Sequence, residues 1–222
     1  MIDAQRFSVF LSSMENPCSD ALLALEEEAR SLGIPILRKE TQRLLQVVLS
    51  MKNPGRILEI GTGVGFSAMF FAEHVSSLKD LVTIENFPPR IEKAKALFAK
   101  STAPIRLLEG DAKDLLPTLP DGRFDFVLMD AAKGQYPMLL PEVKRCMAEG
   151  GVLFSDNVLQ DGDVLESRFA VTRRDRTIHE RMREYLLTLM RDPDFTTTIL
   201  PVEDGVAISV YSGEKKEGKK NA

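Results

Sequence analysis

The fold is decided by Arg56-Ile57-Leu58-Glu59-Ile60-Gly61-Thr62-Gly63-Val64-Gly65-Phe66-Ser67-Ala68. Its apolar start, residues 57–60, is bounded by Asn53-Pro54-Gly55 and by the glycines, which is typical of a short buried strand. A helical pattern follows over residues 66–75. Glycines at alternating positions let the backbone approach a ligand closely, because a Cβ there would collide with it. This order predicts a nucleotide-type cofactor bound above a parallel sheet.

The glycine spacing differs from that of a dinucleotide fingerprint. G-x-G-x-x-G would need its third glycine at the position of Phe66, whereas the pattern present is E-x-G-x-G-x-G beginning at Glu59. A carboxylate there would repel a pyrophosphate but suits a cationic ligand, such as the sulfonium or amino group of S-adenosylmethionine (SAM). On this stretch alone, the alternative interpretation is a glycine turn in another kind of α/β domain.

Length and composition are those of one globular α/β domain over residues 1–222, with 44% apolar and 28% charged residues. Cys18 and Cys146 have neither pair nor metal spacing, and the N-terminus lacks a signal-peptide layout, so we expect a reduced, cytoplasmic setting. The distant His74 and His179 argue against a histidine-ligated metal and a serine triad. A net charge of −4 excludes a global basic field, so any nucleic-acid site must be local.

Strand and helix patterns alternate after the glycine loop, which predicts a doubly wound, mostly parallel sheet. Two further apolar segments flank the turn Glu203-Asp204-Gly205 and predict a closing antiparallel hairpin. Together with residues 57–60, the predicted strands make a seven-stranded sheet and cover residues 81–85, 105–109, 124–130, 150–157, 195–200 and 206–211.

Helices are predicted ahead of the first strand and a charged tail after the last. Residues 3–14 and 20–32 have helical patterns whose apolar positions could cover a sheet face or form a homodimer contact. Residues 38–51 form an amphipathic pattern leading into the first strand. Residues 213–222 are charged and expected to fray.

Acidic residues stand at the ends of the second and third predicted strands. Glu85 lies a little over twenty residues beyond the glycine loop, about where a carboxylate binds the ribose hydroxyls of a nucleotide. Gly110-Asp111-Ala112 puts an acid where it could bond an adenine amino group. A surface glutamate is the alternative for Glu85.

Asp130, Asp156 and Asn157 end two further parallel strands, so we expect them at one edge of the sheet. Two carboxylates and an amide oxygen suit Mg²⁺, or less specifically Ca²⁺ or Mn²⁺. Strand-end caps explain the same residue types equally well.

Lys133 follows Asp130 by three residues. Beside a divalent cation this lysine would release its proton readily and act as a general base, although a solvated surface lysine is the usual alternative.

Taken together, the segments Glu59–Ser67, Glu85, Asp130–Tyr136 and Ser155-Asp156-Asn157 resemble the cation-dependent O-methyltransferases of the catechol and caffeoyl-CoA type, over residues 34–211. The resemblance implies a class I, Rossmann-like SAM methyltransferase. It implies that Asp130, Asp156 and Asn157 hold Mg²⁺, which chelates two adjacent substrate oxygens, and that Lys133 takes the proton, with Asp130 also catalytic. The cofactor residues implied are Ile36, Glu59, Gly61, Thr62, Gly63, Gly65, Ser67, Glu85, Gly110, Asp111, Ala112 and Asp130.

A closer resemblance is to the bacterial tRNA 5-hydroxyuridine methyltransferases, which act at the wobble base. It is carried by the Asp130–Tyr136 run, by Asp156-Asn157-Val158-Leu159 and by Arg173-Arg174-Asp175-Arg176-Thr177-Ile178. Hydroxyuridine has a hydroxyl beside a ring carbonyl, so it can chelate a metal much as a catechol does. The predicted substrate is therefore tRNA, and a small catechol-like molecule is the alternative.

The segment from Arg168 to Arg183 contains six arginines in 16 residues. On a helical wheel starting near Arg173, residues Arg173, Arg176 and Arg183 cluster, opposite a buried face of Ile178, Met182, Tyr185 and Leu189. Clustered arginines suit phosphates, so Arg173, Arg174 and Arg176 are the predicted RNA contacts. Interleaved acids leave a salt-bridged surface helix as the alternative.

Two other functional classes fit less well. A nicotinamide-dependent oxidoreductase is disfavoured by Phe66 and by the lack of a Tyr-x-x-x-Lys pattern. A binding-only protein is disfavoured because candidate ligands, base and glycine loop are all present.

Overall fold

The computed structural model describes residues 6, 9–10, 13–14 and 18–213. Most of the helix predicted over residues 3–14 and nearly all of the tail lie outside these residues, and the homodimer remains a prediction. Within the described residues, no helix is both long and apolar enough to span a membrane.

The strands are β1 (Arg56–Ile60), β2 (Asp80–Glu85), β3 (Ile105–Glu109), β4 (Phe124–Met129), β5 (Met147–Ser155), β6 (Phe195–Leu200) and β7 (Val206–Tyr211). The α-helices are α1 (Asp20–Ser31), α2 (Lys39–Lys52), α3 (Phe66–His74), α4 (Pro88–Phe98), α5 (Ala112–Leu115), α6 (Tyr136–Cys146) and α7 (Arg176–Arg191).

The strands form one seven-stranded sheet in the order β3-β2-β1-β4-β5-β7-β6. The first five pair in parallel, and β7 is antiparallel to both of its neighbours. The predicted doubly wound sheet with a C-terminal antiparallel hairpin is therefore confirmed. Reversal of strand order between β1 and β4 creates the crevice at which such sheets bind ligands.

Alternate residues of each strand point to opposite faces of the sheet, and each face has its own apolar core. Ile57 and Phe126 belong to the core covered by α2 and α3, together with Leu45 and Phe70. Val127 belongs to the opposite core, covered by α6 and α7. Helices on both faces bury the central strands, so the few polar side chains within these strands must be hydrogen-bonded.

Strands β4 and β5 end one and two residues earlier than predicted. Asp130 and Asp156 lie just beyond the ladder, and their backbone N–H groups still donate to Ile60 O at 2.9 Å and Met129 O at 3.1 Å. Asn157 has a left-handed backbone with φ of 52°, which ends the extended conformation. The expected shared edge is nevertheless formed.

The arginine-rich helix begins later than predicted. Helix α7 starts at Arg176, whereas Arg173 and Arg174 lie in the preceding turn, so the predicted helical cluster of Arg173 with Arg176 and Arg183 is wrong. The Thr172 hydroxyl donates to the Asp175 carboxylate at 2.5 Å within this turn. The buried face of the helix consists of His179, Met182, Tyr185, Leu186 and Leu189, with Ile178 only half-buried.

Gly61 sits where the chain leaves β1 and passes the end of β4. Its φ is +103°, and a Cβ on it would collide with the backbone carbonyl of Asp130. The glycine is therefore required by the close approach of two backbones as well as by its dihedral angle.

We expect Gly61→Ala to destabilise the protein much more than Gly33→Ala. Gly33 also has a positive φ, +64°, but nothing lies within 4 Å of an added Cβ. The left-handed backbone alone costs an alanine about 1–2 kcal/mol, and at Gly61 the collision adds about 1–3 kcal/mol. Urea unfolding of both variants measures the difference. Equal losses of stability would show that the backbone at Gly61 is not constrained by Asp130.

Candidate active site

A cleft of about 510 Å³ opens at the carboxyl ends of the parallel strands. It brings the glycine loop, the acidic strand ends and the lysine turn into one cavity. The predicted site residues that line it are Ile36, Gly61, Gly63, Glu85, Gly110, Ala112, Asp130, Lys133, Asp156 and Asn157. The remaining cofactor residues predicted from the sequence lie beneath or beside this surface.

Glu59 lies buried under the glycine loop, with 0% exposure. The register places it beside Thr83, whose hydroxyl donates to Glu59 Oε2 at 2.5 Å and lies 2.5 Å from the hydroxyl of Thr62. Ser67 also hydrogen-bonds the carboxyl group, while Oε1 has no hydrogen-bond partner within the described part of the chain. Burial raises the pKa of Glu59 to about 8, although the bonds from Ser67 and Thr83 oppose the shift.

Gly65 lets helix α3 pack closely behind the glycine loop. Gly65 precedes α3 with φ of +92°, and a Cβ there would lie 2.8 Å from the ring of Phe98. The alternating glycines therefore serve two purposes, since Gly61 and Gly63 line the cleft and Gly65 admits close helix packing.

Glu85 ties the end of β2 to the glycine loop. Its Oε2 accepts a hydrogen bond from Gly63 N at 2.9 Å, and its Oε1 accepts from the backbone N–H groups of Asn86 and Phe87, each at 3.0 Å. A carboxylate can accept about four hydrogen bonds. Glu85 thus holds the loop in place and keeps capacity for a ligand hydroxyl.

Asp111 makes local contacts with the chain, and its role at the adenine edge stays a prediction. Its Oδ1 accepts from Lys113 N at 3.0 Å and caps α5, and its other oxygen pairs with Lys113 Nζ at 3.6 Å. Gly110 and Ala112 line the cleft, whereas Asp111 does not. The acid after the strand is an N-cap, as aspartate commonly is.

Asp130 and Asn157 converge on the ammonium group of Lys133. Lys133 Nζ lies 3.3 Å from Asp130 Oδ1 and 3.1 Å from Asn157 Oδ1, and it also donates to the carbonyl of Asp156 at 3.4 Å. Lys133 lies in the turn Lys133–Gln135 that directly follows β4. The sheet therefore gathers hard oxygen donors and a lysine within one small volume.

Asp156 is the most buried member of this group, with 3% exposure. Its Oδ1 accepts from Asn157 N at 2.9 Å. Burial, with a further contribution from the charge of Asp130, raises the pKa of Asp156 to about 7. A positive charge beside Asp156, in addition to that of Lys133, would stabilise the ionised carboxylate of Asp156.

Sequence reasoning missed Thr83, Asp204 and the structural role of Tyr136. Asp204 lines the cleft because β7 begins beside the end of β5, where Ser155 pairs with Ala207. Thr83 had a signal, since it is the single polar residue within Leu81-Val82-Thr83-Ile84. For Asp204, the sequence indicated only a residue of a turn.

Four of the six clustered arginines bond within the chain. Arg176 Nε donates to Val171 O at 3.4 Å, and Arg183 and Arg181 donate to the carbonyls of Val164 and Gly134, each at 2.9 Å. Arg168 pairs with Glu180 at 2.6 Å. Arg173 and Arg174 are exposed and make no ion pair or hydrogen bond through their side chains to the described residues. The nearby Phe169 is 86% exposed.

Comparison with known proteins identifies the family. A family model described as O-methyltransferase matches residues 12–211. This chain belongs to the O-methyltransferase family. It is 28% identical over 164 residues to a catechol O-methyltransferase of Niastella koreensis, covering 71% of this chain and 74% of that protein.

Solved structures of other methyltransferases have the same fold. The Podospora anserina methyltransferase PaMTH1, bound to SAH, is 25% identical, with a TM-score of 0.83 and 95% of each chain covered. The Streptomyces achromogenes O-methyltransferase TomG, involved in tomaymycin synthesis and solved with SAM, is 26% identical, with a TM-score of 0.80 and coverage of 96% of this chain and 100% of TomG. The prediction of an O-methyltransferase with a Rossmann-like sheet is confirmed.

No group of three His, Cys, Asp or Glu side chains able to hold a metal occurs among the described positions. The metal ligands predicted from the sequence include only two ionisable side chains, those of Asp130 and Asp156, with the Asn157 amide as the third.

The pH dependence of stability should change when Glu59 is replaced by glutamine. A buried carboxyl with a raised pKa contributes stability that is complete below pH 4.5 and is lost as the pH rises through about 8. Glu59→Gln keeps the size and removes this titration, so we expect its stability to fall less than that of the wild type between pH 5 and 9. The difference should be on the order of a few kcal/mol.

Urea unfolding at several pH values measures this dependence. Asp156 has the same sign of shift and remains in both proteins, so the comparison isolates Glu59. Parallel stability curves for the two proteins would contradict a neutral, buried Glu59.

Proposed function

We propose that this O-methyltransferase transfers the methyl group of SAM to a substrate oxygen, with a divalent cation held by Asp130, Asp156 and Asn157. One observation carries the proposal: Asp130 and Asn157 oxygens and the Asp156 carbonyl meet around Lys133 Nζ in the cleft that the glycine loop also lines. Donor and acceptor sites in one cavity suit a direct transfer between two bound molecules.

The cleft residues fit SAM. Gly61 and Gly63 allow the backbone to approach the methionine end, and Glu85 keeps acceptor capacity for ribose hydroxyls. Glu59 lies fully buried beneath this loop, hydrogen-bonded to Thr83 and Ser67, so it shapes the loop without facing the cleft itself. The relatives solved with SAM and SAH support the same cofactor.

The oxygen donors fit a hard divalent cation. Asp156 is buried, and repulsion from the nearby Asp130 adds to the effect of burial in raising the pKa of Asp156. When bound, Mg²⁺ or a similar cation would stabilise the oxyanion of a substrate hydroxyl near neutral pH. Asp204, also at the cleft, adds negative charge on the same side.

Lys133 is the proposed proton acceptor. Its ammonium donates to Asp130 and Asn157 here, so these contacts must be exchanged when the same oxygens hold a cation. An ammonium beside a divalent cation is electrostatically disfavoured, so the neutral amine forms more readily and can take the hydroxyl proton. Asp130 would act with it by holding the cation beside the amine.

We propose 5-hydroxyuridine at the tRNA wobble position as the substrate. Arg173 and Arg174, whose side chains bond to none of the described residues, support this proposal because guanidinium groups bind phosphates, and the exposed Phe169 offers a surface on which a base can stack. The second candidate is a small catechol-like molecule, which is favoured by the description of the Niastella koreensis relative as a catechol O-methyltransferase. Both substrates present two adjacent oxygens.

Mass spectrometry decides between these substrates. Hydroxyuridine-containing tRNA is incubated with enzyme, labelled SAM and Mg²⁺, and its nucleosides are compared with those of a parallel catechol reaction. We expect the label on hydroxyuridine. Label on the catechol alone would select the second candidate, and label on neither would contradict both.

We expect Asp156→Asn to lower Mg²⁺ affinity and to reduce methyl transfer at least about 100-fold, because the metal supplies several kcal/mol of charge stabilisation. Calorimetry measures the affinity without turnover, and SAM binding should persist. Asp125→Asn is the matched control, since Asp125 lies at the amino end of β4, away from the donor set, and its carboxylate accepts from the backbone N–H groups of Gly55 and Arg56. Wild-type Mg²⁺ affinity in Asp156→Asn would exclude this metal site.

We expect R173E/R174E to weaken tRNA binding while leaving SAM affinity unchanged. Loss of two phosphate contacts should reduce the slope of log affinity against log salt by about 1.4–1.8. Binding to a fluorescent anticodon stem–loop at several salt concentrations measures both quantities.

The control for this variant is R56E/K79E, which makes the same change of charge with two exposed residues near the amino ends of β1 and β2. If both variants weaken binding equally, the effect is one of net charge. In that case Arg173 and Arg174 are not the RNA contacts.

A further inference from the structure

We infer that the hydroxyl group of Tyr136 is a positioning group, which fixes Lys133 and the spacing of the β4 and β5 ends on which the donor set is built. This inference rests on the proposed function, because Lys133 and the donor set acquire their roles there. Tyr136 itself touches neither substrate nor cofactor in this assignment and acts through its neighbours.

The Tyr136 hydroxyl contacts both strand ends and the lysine. It lies 2.9 Å from the carbonyl of Met129, 3.1 Å from the carbonyl of Asp156 and 3.3 Å from Lys133 Nζ. Met129 is the last residue of β4 and precedes Asp130, while Asp156 directly follows β5. The Tyr136 hydroxyl therefore bridges the ends of β4 and β5, the two strands that lead into the proposed metal ligands.

The hydrogen-bonding capacity of this atom makes the arrangement specific. A phenol has one hydrogen, so Tyr136 donates to one carbonyl at a time, and its lone pairs can accept from the ammonium of Lys133. Lys133 also donates to the carbonyl of Asp156 at 3.4 Å. The amine of Lys133, the Tyr136 hydroxyl and the Asp156 carbonyl are therefore in mutual contact, which restricts the position of the amine.

The ring of Tyr136 is held rigidly, so its hydroxyl is a fixed reference point. Tyr136 has 0% exposure, and its ring packs edge-to-face on Tyr185 with centroids 5.1 Å apart. Lys133 Nζ also lies 5.3 Å from the centre of the Tyr136 ring. Since Tyr136 begins α6 directly after the Lys133–Gln135 turn, the helix and the lysine share one anchor.

Tyr185 provides a matched control within the same core. It also has 0% exposure, and its hydroxyl lies 2.6 Å from the hydroxyl of Ser155. It is not among the contacts of Lys133 or of the carbonyls of Met129 and Asp156. Tyr136→Phe and Tyr185→Phe each remove one buried hydroxyl, but only the first removes a contact with the donor set.

The test compares the two variants in the intact protein, below their unfolding temperatures. Groups that orient metal ligands affect metal affinity or activity about 10–100-fold. We therefore expect Tyr136→Phe to weaken Mg²⁺ binding in calorimetry and to lower kcat about tenfold or more, with the KM and affinity for SAM within about twofold of wild type. Tyr185→Phe should leave Mg²⁺ affinity and kcat within about twofold.

Wild-type Mg²⁺ affinity and kcat in Tyr136→Phe, or equal losses in both variants, would overturn the inference. If Tyr136→Phe does not fold, 4-aminophenylalanine and 4-fluorophenylalanine at position 136 replace it. The amino group can donate a hydrogen bond and should restore Mg²⁺ binding, whereas fluorine fills the space without donating; equal affinities would refute the role. A wild-type protein that transfers no methyl group would instead refute the proposed function, while the affinities still test Tyr136.

Discussion

The active-site architecture depends on negative charge gathered at the end of two neighbouring parallel strands. Asp130 and Asp156 approach one another because Met129 at the end of β4 pairs with Ser155 at the end of β5, and the burial of Asp156 leaves little water to screen its side of the pair. Lys133 balances this charge from the turn after β4. The same imbalance that holds the lysine makes this edge attractive to a divalent cation, so one electrostatic constraint explains both the resting contacts and the proposed chemistry.

The cofactor side of the cleft obeys a different constraint, that of close backbone packing. Gly61 passes against the carbonyl of Asp130, which places the glycine loop directly beside the donor set. Beneath the loop, Glu59 and Thr83 pair across β1 and β2 in the sheet interior, where a polar pair is tolerated because it is hydrogen-bonded. The reversal of strand order at β1 and β4 thus places the glycine loop and the proposed donor set in one cleft.

Much of this could be predicted from the sequence, because apolar strands bounded by glycine and acid determine both the sheet and its functional edge. Glu85, Asp130, Lys133, Asp156 and Asn157 were expected together and line one cleft. Helix α7 was placed three residues too early, since the polar residues around Arg173 fit a turn as well as a helix. The role of Asp111 as a cap and the contacts of Tyr136 depend on tertiary distances, which local patterns do not encode.

The central claim is that Asp130, Asp156 and Asn157 together hold one divalent cation beside the cofactor. The most direct measurement is a crystal structure grown with Mn²⁺ and SAH, with anomalous differences recorded to locate the manganese. The account predicts one anomalous peak about 2–2.5 Å from an oxygen of each of the three side chains, with Lys133 no longer bonded to Asp130 and Asn157. A fully occupied cofactor cleft with no manganese at these residues, or with the three side chains turned apart, would contradict it.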